Sequence, residues 1–328
     1  MSGQVVLTSG YVSMDHMIEI STPARVGYTS IITNSSCTRT YFGGCSVNIA
    51  YALSKLGVPA KPILRVGDDW ERTGFRSFLE EAGVGLDAIA VVPGEATSAS
   101  YLIQDAEGQH ITCYYPGPMA PEHFRPLDDE LFSDVALGVI TVASERDNRE
   151  FFEKCRTHSI PVAFGMKADE GAFPLPFLEE LLRGSEIVFA NESERRCIER
   201  ALGLPSMEDL LSDEVRTIVT TYGPRGSAWC HRESDGSVSR GSVGVVPCGA
   251  VVDTTGCGDA YMSGFLYGWA HGKGPGECCR LGATLSSFVL ERYGCCTGVP
   301  GEEELLARLE ERRGEVGRMR GQACRHCI

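Results

Sequence analysis

The sequence lacks several patterns that would assign a protein to a common functional class. No run of 18 or more apolar residues occurs in its 328 residues, which excludes a transmembrane helix. Positive charge is scarce, because 30 Lys and Arg residues stand against 44 Asp and Glu residues and leave a formal net charge of −14. General nucleic-acid binding depends on Lys and Arg that neutralise phosphates, so this balance disfavours it. We therefore expect neither a nucleic-acid partner nor a membrane one.

The sequence also has little that indicates secretion or a metal framework. Its first seven residues contain no basic segment and no apolar stretch long enough for a signal peptide, so we expect a cytoplasmic location. The 14 cysteines are irregularly spaced, and the pair Cys324 and Cys327 has no second pair at zinc-finger spacing. Reduced thiols are therefore expected in place of disulfides or zinc. The Arg-rich stretch 312–328 is predicted to be a loosely ordered tail.

Three well-known catalytic and phosphate-binding motifs are absent. The chain has no Gly-x-x-x-x-Gly-Lys-Ser/Thr loop, no Gly-x-Ser-x-Gly elbow and no His-Glu-x-x-His pair. A dinucleotide-binding turn is also disfavoured, because Tyr261 stands where the third glycine of Gly-x-Gly-x-x-Gly would follow Gly256 and Gly258.

What the chain does contain is an alternation of strand and helix patterns over most of its length. Such alternation predicts an α/β fold with a mainly parallel sheet and helices on both faces. Two β-rich pieces interrupt this rhythm, at about 11–42 and 95–118, and they predict a small second sheet. Its strands are predicted at 17–20, 38–42, 97–104 and 110–115, the last two forming a hairpin.

The most informative stretch is residues 251–266, VVDTTGCGDAYMSGFL. Gly256 and Gly258 flank Cys257 at the predicted start of a helix, where free N–H groups and the helix dipole favour an anion. Asp259 follows, although a carboxylate beside an anion site repels the anion. Two interpretations remain open: Asp259 is a general base for phosphoryl transfer, or it caps the helix.

Four motifs in this order resemble the ribokinase-like (phosphofructokinase-B) family of carbohydrate and nucleoside kinases. The motifs are residues 43–50 (GGCSVNIA) with Leu56-Gly57, residues 191–194 (NESE), residues 221–223 (TYG) and residues 253–259 (DTTGCGD). Together they span most of the chain. The resemblance implies a single three-layer α/β/α domain over 1–328, with the β-rich pieces as a small β-sheet lid, and it implies an ATP-dependent phosphotransferase with an alcohol acceptor.

The resemblance also implies a role for each residue of the motifs. Asp259 would be the base, and the backbone of Gly256, Cys257 and Gly258 would form the anion hole. Asn191, Thr221 and Gly223 would bind ATP, and Glu194 would hold Mg²⁺ through water. Asp15, Gly44 and Asn48 would bind acceptor hydroxyls, and a monovalent cation such as K⁺ would lie near Asp253.

Structural interpretations remain open beside these roles. Asp15 fits a turn residue, Asn48 a polar residue at a helix start, and Cys257 a small filler. Asn191 and Glu194 also fit a capping box.

The acceptor is predicted from the same resemblance. Several stretches are most similar to the bacterial and archaeal adenosine-kinase-type branch, which favours an adenosine-like nucleoside over a free sugar such as fructose or ribose. Four aromatic residues of the lid would either stack on a base or pack the sheet: Tyr41, Phe42, Tyr101 and Tyr115. A non-catalytic sugar- or nucleoside-binding regulator on the same fold is a further alternative. A lid sheet with an exposed edge also predicts a homodimer.

Overall fold

The computed structural model describes residues 5–311, which form thirteen named strands in two sheets. The strands are β1 (Val5–Ser9), β2 (Ser13–Glu19), β3 (Tyr41–Gly43), β4 (Ala60–Gly67), β5 (Ile89–Val92), β6 (Ala99–Gln104), β7 (His110–Tyr115), β8 (Val135–Ile140), β9 (Val162–Gly165), β10 (Ile187–Asn191), β11 (Thr217–Thr221), β12 (Ser227–Arg232) and β13 (Val238–Val243). The predicted tail at 312–328 lies outside the described residues.

Helices connect most of the strands of the larger sheet. They are α1 (Cys45–Lys55), α2 (Phe75–Glu81), α3 (Glu145–Thr157), α4 (Leu175–Gly184), α5 (Glu192–Leu202), α6 (Cys257–Ala270) and α7 (Pro275–Val289), and residues 302–311 are helical as well. None of the helices in the described part of the chain is long and apolar enough to cross a membrane.

The larger sheet has nine strands in the order β13-β12-β11-β10-β9-β8-β1-β4-β5. All pairs from β11 to β5 are parallel, and only the β11–β12 and β12–β13 pairs, at one edge, are antiparallel. The predicted mainly parallel sheet is therefore confirmed. Parallel strands end at a common edge of the sheet, so the loops that follow β9, β10 and β11 meet there.

Two hydrophobic cores cover the two faces of this sheet. Neighbouring residues of a strand point to opposite faces, and Val6 of β1 belongs to one core while Leu7 belongs to the other. The first core contains buried residues of α1, α2, α6 and α7, and the second contains those of α3, α4 and α5. The three-layer arrangement that the sequence predicted is thus present.

The small sheet has four strands in the order β3-β2-β6-β7. The predicted hairpin is confirmed, because β6 and β7 pair antiparallel with Ala99 opposite Tyr115. The predicted strand at 38–42 is largely wrong. Residues 35–38 form a 3-10 turn, in which the Asn34 side chain donates to the Met17 carbonyl oxygen and the Ser36 hydroxyl, and the strand begins only at Tyr41. Such side-chain bonds to nearby groups compete with strand pairing.

Candidate active site

A cleft opens where β9, β10 and β11 end. Five of the residues predicted from the sequence line it: Asn191, Glu194, Thr221, Gly258 and Asp259. The first three follow or end parallel strands, and the last two belong to the first turn of α6. The fold therefore assembles residues that are almost 70 positions apart in the chain at one edge of the sheet.

Asp259 is buried in the first turn of α6, with 5% of its surface exposed. The N-cap of that helix is Gly256, which has no side chain, so the interpretation of Asp259 as the helix cap is wrong. Its carboxylate accepts instead a hydrogen bond of 2.8 Å from the Asn48 side chain, which α1 supplies. The aspartate is therefore held in place by another side chain of the site.

Asp15 reaches the same region from the small sheet. It is 7% exposed, and the Ser13 hydroxyl donates to its carboxylate. Burial, together with the negative charges of Asp253 and Asp259, raises the pKa of Asp15 to about 6, against the hydrogen bonds of Ser13 and Ser100. These influences indicate that the three aspartates share one electrostatic environment. Asp15 lies within strand β2, so its interpretation as a turn residue is wrong.

A pair of glycines lets Asp15 and Asn48 converge. A Cβ at Gly43 would lie 3.0 Å from the Asp15 carboxylate and 3.3 Å from the Asn48 amide oxygen. Because glycine has no Cβ, Gly43 leaves room for these two side chains to approach each other. Gly44 has φ +99°, and a Cβ there would lie 2.1 Å from the Tyr11 carbonyl oxygen. Only glycine allows this approach between the start of α1 and the connection from β1 to β2.

Asn191 and Glu194 form a complete capping box at the start of α5. The Asn191 side chain accepts from the Glu194 N–H at 2.9 Å, and the Glu194 carboxylate accepts from the Asn191 N–H at 2.7 Å. This structural interpretation is therefore confirmed. The bond engages one carboxylate oxygen of Glu194, and burial raises the pKa of that carboxyl group. The other oxygen is left for a second role.

Two of the residues predicted to bind nucleotide or cations, Gly223 and Asp253, do not line the cleft. Gly223 lies outside the cleft lining, in an exposed 3-10 turn after β11. Both carboxylate oxygens of Asp253 accept backbone bonds, from Thr255 and Gly294, and these bonds fix the loop before α6. In the described part of the chain no group of three or more His, Cys, Asp or Glu residues is arranged to hold a metal ion.

Two buried thiols lie behind the first turn of α6. The Cys296 thiol donates to the Asn48 amide oxygen at 3.3 Å, and a Cβ at Gly256 would lie 2.6 Å from the Cys295 side chain. Burial raises the pKa of both thiols well above the usual value. They are therefore neutral packing groups behind the site.

Gly256 and Gly258 differ in whether the backbone and the surrounding space require a glycine. Gly256 has φ +73° and sits against Cys295, whereas a Cβ at Gly258 would meet nothing within 4 Å. The left-handed backbone that favours glycine is therefore at Gly256 and not at Gly258. Gly258 is exposed at the cleft, where any side chain would occupy the space offered to a ligand.

This difference gives a paired prediction. Gly258→Val is expected to melt within a few degrees of the wild type and to bind ADP normally, with kcat lowered about tenfold or more, because the branched side chain blocks the γ-phosphate. Gly256→Ala is expected to lose stability, since a left-handed non-glycine residue costs about 1–3 kcal/mol. Melting temperature, ADP affinity and kcat, measured on both variants, test this. A folded Gly258→Val enzyme with wild-type kcat would show that Gly258 is only architectural.

The register of the small sheet determines which aromatic residues lie on the same face as Asp15 and could stack on a base. Asp15 pairs with Tyr41 and Ser100, and Ser100 pairs with Tyr114, so these residues share one face. Tyr101 pairs instead with His16 on the opposite face. Phe42 and Tyr115 lie on that opposite face as well, in line with Met14 and Ala99. Of the four aromatics named from the sequence, only Tyr41 is on the Asp15 face, and Tyr114 was missed.

Lys167 is a second residue that the sequence analysis missed. It stands two residues after the end of β9 and lines the cleft with Asp259 and Glu194. The available signal was its position immediately beyond a buried strand, where site residues of parallel sheets lie.

Comparison with known proteins identifies the family. The family model for pfkB family carbohydrate kinases matches residues 11–302. The chain belongs to the pfkB family of carbohydrate kinases. The predicted family is confirmed, and as a member of it the protein is a phosphotransferase with an alcohol group as acceptor.

Individual relatives of this pfkB kinase cover nearly its whole length. The nucleoside kinase of Methanocaldococcus jannaschii is 27% identical over 308 residues, which cover 93% of this chain and 96% of that protein. A ribokinase of Arabidopsis thaliana is 24% identical and covers 92% of this chain and 80% of its own length. The crystal structure of the M. jannaschii enzyme superimposes with a TM-score of 0.84 at 23% identity, over 94% and 98% of the two chains. The structure of the Burkholderia thailandensis nucleoside kinase in complex with inosine superimposes with a TM-score of 0.81 at 23% identity, over 93% of this chain and 98% of that chain. These structures share the fold.

Proposed function

We propose that the protein transfers the γ-phosphate of ATP to the hydroxymethyl group of an adenosine-like nucleoside. The observation that carries this proposal is the convergence of Asp15, Asn48 and Asp259, from three separate elements, beside the aromatic face of the small sheet. Tyr41 and Tyr114 supply that face, and rings of this kind stack on bases. The archaeal relative named a nucleoside kinase supports the same acceptor class.

In this proposal each side chain has a defined task. Asp15 and Asn48 hold acceptor hydroxyls, and Asp259 takes the proton of the attacking hydroxyl. The N–H groups of Gly256, Cys257 and Gly258 stabilise charge on the transferred phosphoryl group. The small sheet acts as a lid over the acceptor within a single domain.

Cations complete the proposed site. Mg²⁺ is usually held by one or two carboxylates together with substrate phosphates and water, so Glu194 with its unengaged oxygen suits a water-mediated contact. Asn191, Thr221 and Gly223 are assigned to ATP. A monovalent cation such as K⁺ is proposed near Asp253, where it would offset carboxylate charge.

An acceptor panel tests the proposal. Purified protein with Mg²⁺ and ATP is assayed for ADP release with adenosine, inosine, ribose and fructose, and Asp259→Asn protein serves as the control for contaminating kinases. We expect kcat/KM for the nucleosides to exceed that for the free sugars at least tenfold, a difference of about 1.4 kcal/mol. Preference for a free sugar would contradict the proposed acceptor, and turnover of none would contradict the proposed activity.

The outer face of the small sheet supports the proposed homodimer. Three of its apolar residues are exposed by 42–46%: Tyr101, Ile111 and Tyr115. Exposed apolar patches of this kind mark interaction surfaces. Tyr101→Glu is expected to convert a dimer to a monomer in sedimentation equilibrium, whereas Leu175→Glu, at a residue of similar exposure on α4, leaves the dimer intact. A wild-type protein that is monomeric at tens of micromolar would contradict the proposal.

A further inference from the structure

Lys167 is positioned by the backbone of the central sheet. The Met166 N–H donates to the Phe189 carbonyl oxygen at 3.0 Å, which extends the pairing of β9 with β10 by one residue. The Lys167 carbonyl oxygen then accepts from the Asp169 N–H at 2.9 Å and closes a turn. Backbone hydrogen bonds on both sides of Lys167 therefore hold its main chain in place at the rim of the cleft.

The surroundings of Lys167 are acidic. Lys167 is exposed at the rim of the cleft, and the negative charge of Asp259 raises the pKa of its ammonium group, with Glu194 raising it further. Burial raises the pKa of Glu194, and the positive charge of Lys167 opposes that rise. The lysine is thus fully charged at neutral pH and lies in the field of both carboxylates.

No ion pair engages this ammonium within residues 5–311. In that range no carboxylate oxygen lies within 4.0 Å of its Nζ, although most other lysines of the range have such a partner or a hydrogen bond. Its three donors are therefore available to an incoming acceptor of hydrogen bonds.

The charges of the side chains that line the cleft indicate what these donors could bind. Among the described residues that line it, Asp259 and Glu194 are acidic and Lys167 is the one basic side chain. A nucleotide triphosphate adds further negative charge next to these carboxylates. Phosphoryl transfer is accelerated mainly by positioning and by positive groups on the transferred phosphoryl oxygens, and lysine serves this purpose as a point charge.

We propose that the Lys167 ammonium binds a non-bridging oxygen of the ATP γ-phosphate and stays on that group during its transfer. The acceptor hydroxyl oxygen forms a bond to the γ-phosphorus, and its proton passes to Asp259. The bond from phosphorus to the β–γ bridging oxygen breaks, and ADP leaves with that electron pair. Lys167 keeps its proton throughout and offsets charge on the phosphoryl oxygens. This inference rests on the proposed use of ATP but not on the identity of the acceptor.

Nucleotide binding without an acceptor tests this assignment. Calorimetry with Mg²⁺ compares the affinities for ADP and for β,γ-methylene-ATP, which carries a γ-phosphate that cannot be transferred. In Lys167→Met the analogue should bind at least tenfold more weakly while ADP affinity changes less than threefold, and kcat should fall about 30-fold. Lys167→Arg should recover analogue affinity to within about threefold of the wild type.

The control is Lys273→Met, an exposed lysine beyond the far end of α6, and it should match the wild type in all measurements. Unchanged analogue binding in Lys167→Met would overturn the proposal. Equal loss of both nucleotides would also overturn it, because it would indicate a structural role. A wild-type protein that binds neither nucleotide would instead refute the proposed function itself.

Discussion

Asp259→Asn is expected to lower kcat by about two or more orders of magnitude while acceptor and nucleotide affinities stay within a few-fold of the wild type. The amide has the shape of the carboxylate and still offers an oxygen to the Asn48 side chain, so the hydrogen bond across the site is retained. What it loses is the capacity to take the proton of the attacking hydroxyl. Steady-state kinetics and acceptor calorimetry on the same preparation measure both quantities.

The control for this variant is Asp235→Asn, in the exposed turn between β12 and β13. It should retain wild-type kcat, because its carboxylate is remote from the cleft. A near-normal kcat for Asp259→Asn would mean that another group, or water, accepts the proton. The general-base role would then have to be withdrawn, although the geometry around Asn48 would stand.

Asp15→Asn is expected to change activity and stability in opposite directions. Acceptor affinity should fall about 30- to 100-fold, because a charged hydrogen-bond partner of the hydroxyls is lost. The free energy of unfolding at pH 7 should rise by about 1–2 kcal/mol, since the variant no longer buries a charge. This pair of changes would indicate that Asp15 serves acceptor binding at a cost in stability.

The pH dependence of stability follows from the pKa of Asp15. Burial raises this pKa from 3.8 to about 6 in the folded protein, so between these values the folded state binds more protons than the unfolded state. The contribution of Asp15 to stability therefore decreases as pH rises from about 4 to 6 and is constant above that window. Acceptor affinity should follow the opposite course and weaken below about pH 6, where the carboxylate becomes protonated.

Thermal melts and acceptor titrations from pH 4.5 to 8, run on the wild type and on Asp15→Asn, measure both trends. A useful control is Asp105→Asn in the hairpin of the small sheet, because backbone N–H groups lower the pKa of that exposed carboxyl group. Its replacement should not raise the melting temperature and should leave the acceptor titration unchanged. A pH-independent difference between the wild type and Asp15→Asn would show that Asp15 is not the titrating group.

The features that the sequence could predict are those that local patterns determine. Strand and helix periodicities gave the parallel sheet, and the glycines around Cys257 located the start of α6 with Asp259 in its first turn. The motif at 191–194 marked the start of α5, whose capping box the structure confirms. Each of these depends on residues close together in the chain.

The features that escaped prediction depend on distant partners. Whether Tyr101 or Tyr114 faces Asp15 is decided by the register of β2 on β6 and of β6 on β7, and a shift of one residue would exchange the two. Lys167 gains its surroundings from Asp259 and Glu194, which lie far along the chain. Strands β12 and β13 were not predicted, although Asp235-Gly236 between them is a common turn pair.

The thiols of Cys295 and Cys296 have a practical consequence for observing motion in this enzyme. Since burial keeps both groups protonated and enclosed, a thiol reagent can reach them only when the structure around them opens. Their labelling rate would therefore report the free energy of this local opening, as hydrogen exchange does for amides. A ligand that stabilises the closed cleft would slow the labelling by the same factor by which it stabilises that state. These cysteines are therefore built-in probes for the opening of the site.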